Sequence, residues 1–247
     1  MKDRPTVLVP LRVLEGESIP EGTPELLTNA HVILLGYHVV PEQTATGQAR
    51  MQFEEQALQR LNQFEALLED AGATVESRLV FTHEGQKTID RIIAEYDCLA
   101  VLVPNATTPP DDVLVAIRGT VGIDRIVRVV SGLFAGTGSA VTLFHVADVD
   151  ETDEDVGTLL EGIATRLAEE GIDDESIDTR VARDSSPQEA IVGVADEFDA
   201  VVMGESDPSL VTFVFGMRAE QVADRFLGPV FVVQREKPDG DQRQHAE

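Results

Sequence analysis

The sequence predicts an α/β protein built from two successive repeats of one parallel-sheet unit, the second complete with five strands and the first cut off after four. Three observations carry this. Short apolar runs alternate with helical patterns along the chain, the order expected of successive strand–helix–strand units. Most of those runs are apolar throughout rather than alternating, which puts them in a sheet covered by helices on both faces. The order of runs, helices and turn residues in the first half recurs in the second.

Taken in order, TVLVPL at Thr6–Leu11 is the first strand, and HVILLGYHVV from His31 to Val40 the second. Arg50 to Ala71 reads as a long amphipathic helix closed by Gly72, with Leu58, Leu61, Leu67 and Leu68 as expected core positions. Thr74 to Phe81 supplies a third strand, Thr88 to Tyr96 a helix and Leu99 to Val103 a fourth strand. PNATTPPDD, Pro104 to Asp112, is turn-rich. The repeat then begins again. VLVAI at Val113–Ile117 followed by Arg118 matches TVLVPL followed by Arg12. A helix spans Ile123 to Phe134, and VTLFHV at Val141–Val146 is matched to HVILLGYHVV with His145 placed against His38. Val156 to Glu170 is an amphipathic helix, with Leu159, Leu160, Ile163 and Leu167 on its apolar side and Gly171 as its stop. Ile177 to Ala182 is a strand. Pro187 to Glu197 is a helix capped by Ser185 or Ser186. Ala200 to Met203 is a strand running into Gly204, Glu220 to Phe226 lies in a last helix, and VFVV at Val230–Val233 is a fifth strand. The domains are therefore 1–104, a truncated repeat, and 113–235, a complete one, with a linker at 105–112 and a disordered tail at 236–247.

Composition excludes several classes of function. Forty-five acidic residues against 19 basic ones give a net charge of −26, which repels nucleic acid and an anionic membrane surface. No uninterrupted apolar stretch is long enough to span a bilayer, and the first residues lack the core of a signal peptide, so the expected location is the cytoplasm. Only Lys2, Lys87 and Lys237 are lysines, and acid excess with so few lysines fits a protein of a concentrated-salt cytoplasm, where ions screen self-repulsion. The acidic run of Asp148, Asp150, Glu151, Asp153, Glu154 and Asp155 reads as solvated surface. Cys98 lies in an apolar run and reads as a buried structural thiol. His31, His83 and Cys98 have no neighbours at metal-ligand spacing, so no metal site is expected.

VVMG at Val201–Gly204, GMRAEQVADRF at Gly216–Phe226 and GPVFVVQ at Gly228–Gln234 resemble the universal stress protein family. The resemblance implies two Rossmann-like repeats of the adenine-nucleotide α-hydrolase type and a phosphate loop after the fourth strand of the complete repeat. Glycines in such a loop let backbone N–H groups approach phosphate oxygens at a helix N-terminus. Gly204 and Gly216 match the first and third glycines of the family loop. Asp207 stands in place of the second, Met217 replaces the hydroxyl residue after the third, and the loop is one residue short. The aspartate that the family places after the first strand, against the nucleoside, is Arg118 here and Arg12 in the first repeat. A carboxylate at Asp207 opposes a triphosphate, and Met217 offers it no useful hydrogen bond.

The candidate nucleotide or anion cleft is accordingly drawn from Ala116, Arg118, Val146, Met203, Gly204, Ser206, Gly216 and Val230. Arg118 has two readings, an anion holder or a salt-bridge partner of Asp207 or Glu205, and the second is favoured in so acidic a chain. His38 and His145 read as satisfied strand-end histidines rather than ligand gates. Phe213 and Phe215 read as a buried loop or subunit contact rather than a lid. The expected function is non-catalytic, a regulatory or stress-response protein with a degenerate nucleotide site, no catalytic residue and no cofactor. The alternatives are an ATP-binding protein with slow hydrolysis or autophosphorylation, in which Ser206, Ser209 or Thr212 replaces the lost hydroxyl, and an enzyme of unrelated chemistry on the same fold. Besides an unnamed regulatory protein partner, the unpaired fifth strand Val230–Val233 must either pair with its copy in a homodimer or be covered by the first repeat.

Overall fold

The structure is a computed structural model that describes residues 4–104, 110–119, 122–183, 186–205 and 228–235. Strands β1 (Thr6–Leu11), β2 (His31–Val39), β3 (Thr74–Thr82) and β4 (Ala100–Val103) belong to the first repeat. The second contributes β5 (Asp112–Ile117), β6 (Ala140–Val146), β7 (Ile177–Ala182), β8 (Ala200–Gly204) and β9 (Val230–Val233). All nine form one sheet in the order β3-β2-β1-β4-β9-β8-β5-β6-β7. Every neighbour pair is parallel except β4 with β9, which run antiparallel with Leu102 opposite Phe231.

That one antiparallel pair covers the fifth strand from within the chain. β9 is bonded to β8 on one side and to β4 on the other, so the edge through which Val230–Val233 would pair with a second copy is occupied by the chain's own first repeat. A short fourth strand with nothing beyond it and a fifth strand with a free edge solve each other's problem of unpaired backbone groups.

Helices α2 (Thr46–Asp70), α4 (Ile123–Phe134) and α5 (Asp153–Glu169) lie over a single apolar layer that includes Leu61, Leu102, Phe134, Leu160 and Phe231 and runs across both repeats. On the opposite face the core is divided. α3 (Gly85–Glu95) contributes Ile89 and Ile92 to one cluster, with Leu8, Ile33 and Leu35, and α6 (Pro187–Ala195) contributes Ile191 and Ala195 to another. Successive strand residues point to opposite faces, so Val7 and Val9 enter the shared layer while Leu8 enters the α3 cluster.

α4 and α6 start at Ile123 and Pro187 as expected, whereas α2, α3 and α5 start three or four residues ahead of the expected limits. α5 begins ahead of Val156 because Thr152 and Asp155 form a reciprocal capping box. α6 is capped by the Ser186 hydroxyl, which accepts from the Glu189 N–H at 3.3 Å. Gly72 and Gly171 close α2 and α5 at φ 100° and 93°, a conformation open to glycine and costly for other residues. Within α2, Leu61 and Leu68 are buried as expected, but Leu58 and Leu67 are 40% and 50% exposed. The buried stripe is Ala57, Leu61, Phe64 and Leu68, and Leu58 and Leu67 are each one residue, about 100° of helix rotation, off it. Strand β5 starts at Asp112, inside the expected linker, whereas most of the linker, the tail from 236 and the helix at Glu220–Phe226 lie outside the described residues.

The first repeat is shorter in one further place. Where α4 follows β5, only the four-residue α1 (Thr23–Leu26) follows β1. α4 makes up for this by reaching across the junction. The Asn29 side-chain amide donates to the Leu133 carbonyl at 3.3 Å and Arg125 pairs with Asp97 at 3.2 Å, while Phe134 meets Phe231 of its own repeat edge-on at 6.3 Å, behind the β4–β9 pair. Gly132 is the closest point, since a Cβ there would stand 2.6 Å from Cδ of Pro5, whose carbonyl is held by the His31 N–H at 3.0 Å. Gly132→Val is therefore expected to destabilise the fold by about 1–3 kcal/mol through overpacking, read as a lower denaturation midpoint at constant salt.

Candidate functional site

In each repeat the first strand lies between the second and fourth, so the strand order reverses there and the C-terminal strand ends border a crevice. In the second repeat Ala116 pairs with Met203, which brings the ends of β5 and β8 side by side and sets Gly204 one residue further along. Ala116, Val146 and Met203 are buried in the apolar cluster under α6. Arg118, just beyond β5, is exposed. Val230 does not belong there. Gly204 pairs with Val233, so Val230 lies three residues back, about 10 Å along β9 at the strand rise per residue, and packs as core. Ser206 and Gly216, like Asp207, Met217, Phe213 and Phe215, lie outside the described residues. The Glu205 carboxylate, one expected partner of Arg118, accepts from the Arg235 N–H at 3.0 Å.

His145 is buried and held at both ring nitrogens. Nδ1 lies 3.0 Å from the Ile117 carbonyl and Nε2 2.9 Å from Glu151 Oε2, and the same carboxylate oxygen accepts from the Asp148 N–H at 2.8 Å. The histidine thus ties the end of β5, next to Arg118, to the loop entering α5. It is the satisfied strand-end residue that was expected, but its partner comes from the acidic run read as solvated surface. In that run Glu151 holds His145, Asp153 pairs with Arg183 at 2.6 Å and Asp155 completes the cap of α5. Acids just ahead of a helix and in its first turn complement the positive end of its dipole, a signal that the sequence carried in Thr152 followed by Asp155.

The Asp148 N–H, and after it the His145 ring, lower the Glu151 carboxyl below the ordinary glutamate value. A depressed folded-state pKa stabilises the fold above the unfolded-state value and loses that contribution as the pH falls through the folded-state value. Glu151→Gln is therefore expected to lower stability at neutral pH by less than about 1 kcal/mol, the range for a partly exposed pair. The difference should shrink on acidification below about pH 4 in paired acid denaturation curves.

His38 does not match His145. Leu11 pairs with Gly36 and Ile117 with His145, so the first-repeat counterpart of His145 is Gly36, and that of Val146 is Tyr37. A side chain is not accommodated freely at Gly36, where a Cβ would meet Leu61 at 3.0 Å and Val13 at 3.1 Å. Nor is His38 satisfied, since its Nδ1 is buried without a hydrogen-bond partner and its ring stands edge-on to Phe53 and Phe81. Cys98 is fully buried as expected, and burial pushes its thiol up to about 12, which makes it inert.

The arginine at the strand end of the first repeat is paired. Arg12 follows β1 as Arg118 follows β5; its Nε donates to the Tyr37 hydroxyl at 3.1 Å, its Nη1 pairs with Glu15 at 3.2 Å, and its backbone N–H donates to Glu17 at 2.6 Å. Burial raises the Tyr37 phenol despite the arginine. The guanidinium, though exposed, is already engaged by one phenol and one carboxylate, which compete with an anion for it.

No protein-family model matches the chain, and no curated protein matches it by sequence. Solved structures do match it. A universal stress protein from Archaeoglobus fulgidus superposes with a TM-score of 0.60 over 94% of this chain and 97% of its own, at 17% identity. A functionally unknown protein from Pseudomonas aeruginosa PAO1 gives 0.50 over 95% and 94%, at 15% identity. No helix among the described residues is long and apolar enough to cross a membrane. With two repeats, first strands between second and fourth, and helices on both faces, the chain has the fold of the universal stress proteins.

Proposed function

We propose that this is a non-catalytic regulatory protein of the universal stress type, acting through a protein partner, in which the nucleotide cleft has degenerated. The observation that carries this reading is the arginine after the first strand of both repeats. The family's nucleoside-binding carboxylate belongs at that point, and in the first repeat the arginine side chain is engaged by Tyr37 and Glu15. Asp207 and Met217 in the loop support the same reading by adding charge repulsion and removing a hydroxyl.

Equilibrium dialysis against radiolabelled ATP and Mg²⁺ in molar potassium chloride is expected to show no saturable binding up to about 1 mM. A saturating isotherm of one site per chain would instead establish the ATP-binding alternative.

A further inference from the structure

The two repeats also differ on their outer flanks, which are the two edges of the sheet. The paired registers set Val7, Val32 and Val75 against Val113, Val141 and Ile177, so Leu79 of β3 corresponds to Val181 of β7 and Phe81 to Arg183. Arg78 and Arg180 correspond as well, and each lies 5.3 Å from the ring of its own repeat's aromatic residue, Tyr96 or Phe198, which supports the alignment. The buried stripes of the overlying helices align Ala57, Leu61, Phe64 and Leu68 of α2 with Val156, Leu160, Ile163 and Leu167 of α5, so that Leu58 corresponds to Gly157.

In the first repeat the flank is filled, with Leu79 and Phe81 packed on the core and Ser77 donating to Glu65 at 2.8 Å. In the second, three changes, Leu to Gly, Leu to Val and Phe to Arg, open a groove of about 430 Å³ between α5 and β7. It is lined by Val156, Gly157, Leu160, Thr179, Val181 and Arg183. A Cβ on Gly157 would meet nothing within 4 Å, and Val181 is 47% exposed. Thr179, Val181 and Arg183 alternate along the chain and so face the groove from one side of the edge strand. Among the described residues nothing pairs with the outer edge of β7. An open edge beside a groove for alternate side chains is the geometry by which an extended peptide joins a sheet.

Charge selects the occupant. The cations of this flank are already matched, Arg183 by Asp153 and Arg180 by Glu197, each at 2.6 Å. What is left is acidic, namely Glu161 in the groove, Asp178 on β7 and Asp173, Asp174 and Glu175 leading into it. A second copy of a chain with a net charge of −26 is repelled from such a surface. We propose that the β7 edge and its groove dock an extended, basic segment of a partner protein, which lies along β7 as an added strand and places an apolar side chain over Gly157. The site stands on residues other than those of the cleft and holds whether or not nucleotide binds there.

The test uses the full chain and a short, doubly capped peptide alternating lysine with isoleucine, followed by amide NMR shifts and hydrogen exchange. Shifts and slowed exchange are expected on β7 and the facing turns of α5. Gly157→Leu, which restores the first-repeat residue into open space, should weaken binding by about tenfold, the worth of one displaced apolar side chain, while Leu58→Gly leaves it unchanged. Unaltered affinity in Gly157→Leu, equal binding of the same peptide with glutamate for lysine, or effects away from β7 would each overturn the proposal. So would a peptide-free chain of doubled mass with β7 already protected, which would give the edge to a second copy.

Discussion

Phe231→Ala is expected to cost about 3–5 kcal/mol. Phe231 is fully buried in β9, between Leu102 of β4 and Val202 of β8, with Phe134 of α4 edge-on to its ring. Truncating it opens a cavity where the two repeats and the bridging helix meet, and backbone pairing on both sides prevents collapse around it. Chemical denaturation at fixed potassium chloride measures the loss. Because β9 bonds to both repeats, the whole curve should move as one transition rather than one of two. A loss below about 1 kcal/mol would mean that the junction is not packed as described.

The second large effect is a contrast between neighbours on α2. Leu61→Ala should cost about 2–5 kcal/mol, whereas Leu58→Ala, three residues away, should stay within about 0.5 kcal/mol. Leu61 is buried and its methyl groups fill the space in front of Gly36; Leu58 is 40% exposed. The same contact predicts coupling. Adding Gly36→Ala to Leu61→Ala should recover part of the loss, because the new methyl group enters the vacated space, while Gly36→Ala alone crowds Leu61 and destabilises.

Much of this architecture was legible because local chemistry and global position agree. Runs such as VLVAI and VFVV are apolar throughout because helices cover both faces of their strands, and the glycines at 72 and 171 mark the helix ends they were expected to mark. What was not legible depends on register and distance. Leu58 and Leu61 look alike in sequence and differ only in rotation about the helix axis. His38 was matched to His145 by its nearness to a strand end, but pairing to β1 shows that Gly36 holds that place, filled by Leu61 from a distant helix. Val230 entered the candidate cleft through a family-like motif, and the strand register moves it to the other end of β9. The role of Glu151 was hidden in an acidic run, because charge composition cannot separate a carboxylate that receives a histidine from one that faces water. The open flank of β7 emerges only when the two repeats are aligned through their paired strands.

The fifth strand of the second repeat closes the first repeat within the same chain. Nuclear Overhauser contacts across β4 and β9, in a sample mixing isotope-labelled with unlabelled chains, test it most directly. Contacts are expected between Leu102 and Phe231 and between Val101 and Val232 within the labelled chain. Contacts from β9 to β9 between labelled and unlabelled chains, with none from β9 to β4, would contradict it.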